Sequence, residues 1–139
     1  MPTTKRDHMK TAYSRKLQIA TLPSIQYLQQ AAQRALENVP ENLKNDAQNI
    51  QIIVENYADQ ITLGSLHIKD KYELLGLYRG TPIPVKTIFT DSSLPDIIYL
   101  YRCPLVRYSI DNNEILDTLI QQVMIHELGH HFGCSYTKK

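Results

Sequence analysis

Apolar positions recur along the chain in two rhythms. Ile25, Leu28, Ala31, Ala32, Ala35, Leu36 and Val39 return at steps of three and four, which lines them along one side of a helix. Pro23 or Ser24 opens that helix and Pro40 stops it. After it the period shortens. Ile50 to Val54 is a β-branched run bounded by polar residues and predicts a strand buried on at least one face. Leu74 to Tyr78 and Val85 to Phe89 flank the Gly/Pro-rich stretch Arg79 to Pro84, as two strands meeting at a loop would. Ile97 to Tyr101 is a further strand, and its bracketing by Pro95 and Pro104 points to the edge of a sheet.

The helical rhythm returns near the C-terminus. Asp111 and Glu114 have the spacing of a capping box, and Ile115, Leu116, Leu119, Ile120, Val123 and Met124 follow as an apolar stripe. The expected helix runs from about Asn112 to Phe132, closed by Gly133 in the left-handed conformation. One helix, several strands and a last helix predict an α+β fold rather than repeated βαβ units. Residues 1–21 mix charge with Thr and Ser without a sustained period and are expected to form a mobile arm, leaving 22–139 as a single domain.

Composition narrows the partners. The 139 residues carry 15 Lys+Arg against 14 Asp+Glu, a net charge of +1, so no global field favours nucleic acid or an anionic membrane. The basic residues are dispersed, and no stacking or groove-reading module is visible. No apolar run approaches the roughly 20 residues that span a bilayer, and the basic N-terminus lacks the apolar core of a signal peptide. Cys103 and Cys134 do not have the spacing of a disulfide framework or of a CxxC zinc knuckle. Together these features predict a cytoplasmic protein with reduced thiols; the oligomeric state has no signature.

Three of the five histidines, His126, His130 and His131, crowd into the last helix, whereas His8 and His67 stand alone. His126-Glu127-Leu128-Gly129-His130 reads HExxH, a string that chance supplies in roughly one chain of this length in a few hundred. Residues four apart on a helix lie one above the other, so His126 and His130 can reach one Zn2+ ion. Glu127 is turned about 100° from His126, toward the water at the metal's open position, where a carboxylate acts as general base. His131 points elsewhere and suits packing, support of a ligand or the helix-end dipole. A histidine-rich helix end that only complements that dipole is the alternative without a metal.

A catalytic zinc ordinarily takes three protein ligands. On the C-terminal side the candidates are Cys134, Ser135 and Tyr136, of which Tyr136 stands ten residues after His126, where HExxHxxGxx-type sites place their third ligand. Cys103 is the runner-up, giving a His2Cys site.

The chain resembles the zincin-like metallopeptidases of bacteria, also described as minimal zincins, over residues 24 to 136. The marks are Ala35-Leu36-Glu37-Asn38-Val39-Pro40, Ile52-Ile53-Val54-Glu55, Leu74 to Pro82, Leu94 to Arg102 and Ile125 to Gly133. The resemblance implies a small mixed β-sheet packed against the N-terminal helix and a C-terminal HExxH helix, and a zinc-dependent peptidase acting on a peptide or protein. The family pattern is HExxHxxGxxD, and Tyr136 stands where that pattern has Asp. A phenolate ligates zinc, so the substitution leaves two expectations: a metallopeptidase with Tyr136 as ligand, or a zincin-fold binding module impaired in catalysis. On the first, the strand from Ile97 to Arg102 would accept an extended substrate by β-addition, and with no second lobe the site would be shallow and open. A third expectation, a Cys103 site as in peptide deformylases, lacks that family's glycine-rich cysteine motif in Tyr101-Arg102-Cys103-Pro104-Leu105.

Overall fold

The computed structural model describes residues 22–83, 86 and 95–133. The arm expected at 1–21, most of the strand expected at 85–89, and Cys134, Ser135 and Tyr136 lie outside the described residues.

Helix α1, Ile25–Glu37, starts where the sequence places it: the Ser24 hydroxyl accepts the Tyr27 N–H at 3.0 Å and supplies the cap. Its buried face is Leu28, Ala31, Ala32 and Ala35. Three alanines there let the helix approach its neighbours closely. A 3-10 turn, Glu41–Leu43, and a short helix α2, Lys44–Ala47, lead into strand β1, Ile50–Glu55. Helix α3, Gln60–Ser65, is capped by the Asp59 carboxylate on the Thr62 N–H. A second 3-10 turn, Lys71–Glu73, precedes β2, Gly76–Arg79; β3 is Asp96–Tyr101. Helices α4, Arg102–Asp111, and α5, Leu116–Phe132, complete the described part. None of these helices is long and apolar enough to cross a membrane.

The fold is α+β, and among the described residues the sheet is mixed and three-stranded, in the order β1-β3-β2. β3 pairs in parallel with β1 and antiparallel with β2, so it is the central strand and not an edge. The prolines are misleading because neither needs a ladder hydrogen bond. Pro95 precedes β3, and Pro104 sits in the first turn of α4, where helical N–H groups have no intrahelical partner. An extended substrate therefore cannot add to β3.

Register divides the sheet into two faces. Ile50, Ile52, Val54, Ile98 and Leu100 look toward the main core, where they meet Leu28 and Ala32 of α1 and Ile120, Met124 and Leu128 of α5. Tyr99, Tyr101 and Leu77 look the other way, toward Ala58, Leu63 and Ile68.

The C-terminal helix also corrects the sequence reading. Asp111 ends α4 instead of capping α5, whose N-cap is Ile115 with no side-chain hydrogen bond. Asn113, at φ 51°, makes the turn between the two helices. The far end is as expected: Gly133 takes φ 61°, and its N–H reaches the carbonyls of Gly129 and His130.

Candidate functional site

The HExxH segment lies in the last two turns of α5, and helical geometry splits it into two neighbouring stripes. His126 and His130, one turn apart, are exposed, with ring centroids 4.9 Å from each other. The His130 side chain keeps 55% of its surface accessible. The second stripe, Val123, Glu127 and His131, steps by four residues and faces β2. Gly76 permits this approach: a Cβ there would stand 2.8 Å from Val123 Cγ1 and 3.1 Å from the Tyr99 carbonyl.

Glu127 is only 6% exposed, although its carboxylate lies 3.7 Å from Nδ1 of exposed His130. Burial pushes its carboxyl above the ordinary value. His130, His126 and a hydrogen bond from the backbone N–H of Tyr78 pull in the opposite direction. A carboxylate whose proton affinity is raised toward neutrality suits proton transfer.

His131, adjoining His130, has a separate environment. It is 1% exposed, and both ring nitrogens are engaged. Nε2 lies 2.9 Å from the Asp46 carbonyl, which only accepts, so the proton belongs on Nε2. Nδ1 makes the second hydrogen bond, with the Tyr78 hydroxyl at 2.8 Å. The same hydroxyl lies 3.3 Å from Asp96 Oδ1. Burial and the nearby carboxylate push the Tyr78 phenol well above its usual range, which keeps it protonated as a donor.

Asp96, at the start of the central strand, anchors this buried group. Its carboxylate takes Lys86 Nζ at 2.5 Å and the Thr81 N–H at 3.0 Å. Burial by itself would raise the carboxyl; the Lys86 and Thr81 hydrogen bonds, with His131, outweigh it and hold it below the usual range. Gly80 leaves room for the arrangement, since a Cβ there would fall on the Asp96 carboxylate and 2.8 Å from the Tyr78 hydroxyl. No buried side-chain polar atom among the described residues lacks a partner.

Neither Tyr78 nor Asp96 was marked as a site residue by the sequence. The available signal was a carboxylate opening an otherwise apolar strand, since such a group must find partners on burial.

Other candidates lie elsewhere. Cys103 lies in the first turn of α4, where its backbone N–H donates to the Asn56 carbonyl at 3.1 Å. His67 is exposed in a turn at φ 56°. Among the described residues no three His, Cys, Asp or Glu side chains gather as a metal site, so Cys103 does not complete the histidine pair. Tyr136 and His8 lie outside the described residues.

The pattern of one protein family, zincin-like metallopeptidase, matches residues 47–138, more than half of the chain. The chain belongs to the zincin-like metallopeptidase family. The match takes in β1 to β3, α4 and α5, and leaves α1, which contributes a face of the core, outside. Comparison with curated proteins finds no match. Membership accounts for the α+β frame and connects the HExxH helix of this zincin-like chain with a family whose members are typically metal-dependent.

Proposed function

We propose that the protein is a zinc-dependent peptidase in which His126 and His130 hold the metal, Glu127 is the general base and Tyr136 is the third protein ligand. The observation that carries the reading is the pairing of two exposed imidazoles one turn apart with a buried carboxylate 3.7 Å from one of them. The donor set suits the ion: imidazole nitrogens are common zinc ligands, and a phenolate is an acceptable oxygen donor. Zinc bound there supplies Lewis-acid chemistry, polarising a carbonyl and making water easier to deprotonate.

The chain's own groups account for the proton traffic. Glu127 takes a proton from the attacking water and returns it to the leaving amine, so its raised proton affinity serves both steps. His126 and His130 open to solvent, which lets a peptide or protein segment reach them without passing through a closed cavity.

Replacement of Glu127 by Gln separates the roles. Hydrolysis of labelled casein by the zinc-loaded protein is expected to fall by at least about 100-fold, while zinc content stays unchanged. Undiminished hydrolysis would overturn the role of Glu127. A wild-type protein that binds zinc but cleaves nothing would favour the catalytically impaired binding module, which the replacement of the family's Asp by Tyr136 also suits.

A further inference from the structure

One member of the proposed ligand pair sits at a helix end. His126 lies a full turn further inside α5, whereas His130 belongs to the closing turn, which stops at Phe132. Such turns open readily, because their carbonyls lack intrahelical partners. Two imidazoles one turn apart can share an ion only while the backbone between them stays helical. We propose that His131 is a positioning residue: its buried ring, hydrogen-bonded through both nitrogens, pins the last turn of α5 to the sheet and so keeps His130 in register with His126.

The two bonds of the ring go to opposite flanks of the sheet. Nε2 lies 2.9 Å from the carbonyl of Asp46 in α2, the short helix that leads into β1, and Nδ1 lies 2.8 Å from the hydroxyl of Tyr78 on β2. Among the described residues β1 and β2 are the outer strands, so the ring bridges both, at the end of the sheet where β1 and β3 begin and β2 finishes. Asp96, the first residue of the strand between them, lies 3.3 Å from the same Tyr78 hydroxyl and ties it to the sheet centre. Phe132 and Gly133 also act on this turn, one by entering the core and the other by meeting the carbonyls of Gly129 and His130. An apolar contact tolerates sliding, however, whereas the bonds of His131 have fixed partners and directions. At 1% exposure the ring has no solvent to replace a partner that is lost.

The consequence for zinc rests on the function proposed above; the anchoring does not. Both are measured on the full-length protein, prepared free of zinc. His131→Phe keeps a ring in the site and removes both hydrogen bonds. It is expected to speed amide exchange from His130 to Gly133 about tenfold, with the Ile120 to Met124 amides of the same helix unchanged. It is also expected to raise the Kd for zinc, measured against a competing chelator, at least about tenfold. His131→Gln keeps a donor for the Asp46 carbonyl and should lie nearer the wild type in both measurements. If His131→Phe fails to fold, Tyr78→Phe, which removes one bond from the other side, carries the same expectations at about threefold. Last-turn amides that exchange at the wild-type rate would overturn the proposal, as would equal acceleration throughout α5, the mark of a general loss of stability. Unchanged zinc affinity beside faster last-turn exchange would contradict the link to His130, and so would a Gln variant no better than Phe. A wild type that binds no zinc would defeat the proposed function alone, because the exchange result decides the anchoring without it.

Discussion

His130 and His131 are neighbours in sequence and opposites in structure. His130 keeps about half of its side chain in solvent and lies one turn from His126, with ring centroids 4.9 Å apart. His131 is enclosed, and both its nitrogens are engaged by Asp46 and Tyr78. The same side chain thus presents an imidazole to solvent on one stripe of α5 and fastens the helix to the sheet on the next. Glu127 belongs to the enclosed stripe by position and to the exposed one by reach. A general base needs both properties: burial raises its proton affinity, and proximity to the imidazoles puts the proton where it is wanted.

Beyond the loss of turnover expected for Glu127→Gln, four substitutions probe the contrast through stability. The largest effect belongs to His131→Ala, which leaves a cavity and strips partners from the Asp46 carbonyl and the Tyr78 hydroxyl. Denaturant unfolding of the zinc-free protein should show a loss of about 2–4 kcal/mol. Gly80→Ala comes next. Its methyl group would collide with the Asp96 carboxylate and the Tyr78 hydroxyl, and a cost of about 1–3 kcal/mol is expected from the same melts.

Asp96→Asn probes the anchor through pH. The folded carboxyl sits below the ordinary value of about 4, so its ionised form contributes stability above that pH. That contribution is lost as pH falls through the lower folded value. Unfolding curves recorded from pH 5 downward should be less steeply pH-dependent in Asp96→Asn than in the wild type. The smallest effect is expected for His126→Ala, whose exposed ring should cost under about 0.5 kcal/mol without metal. A large loss there would mean that the two stripes are not distinct.

Local signals carried much of this architecture. Ser24, the alanine-rich stripe and Pro40 delimit α1, the β-branched run becomes β1, and Gly133 ends α5. HExxH spacing alone separates Glu127 from the line of the imidazoles. What misled was local chemistry with two possible contexts. Asp111 and Glu114 have capping-box spacing, yet Asp111 belongs to the preceding helix, whose continuation from β3 was hidden by reading Pro104 as the end of a strand. Strand order is a long-range property, so no feature of Ile97 to Tyr101 reports that β1 and β2 flank it. The buried group of Tyr78, Asp96 and His131 depends on the same pairing. These residues are 18 and 35 positions apart in successive steps along the chain and meet only once the sheet and α5 are packed.

Zinc stoichiometry tests the central claim most directly. Full-length protein purified without an affinity tag, incubated with zinc and freed of excess by dialysis, should retain one equivalent, as should Glu127→Gln, whereas His126→Ala and His130→Ala should lose it without unfolding. Failure of the wild type to retain zinc, or undiminished retention after loss of both histidines, would contradict the account.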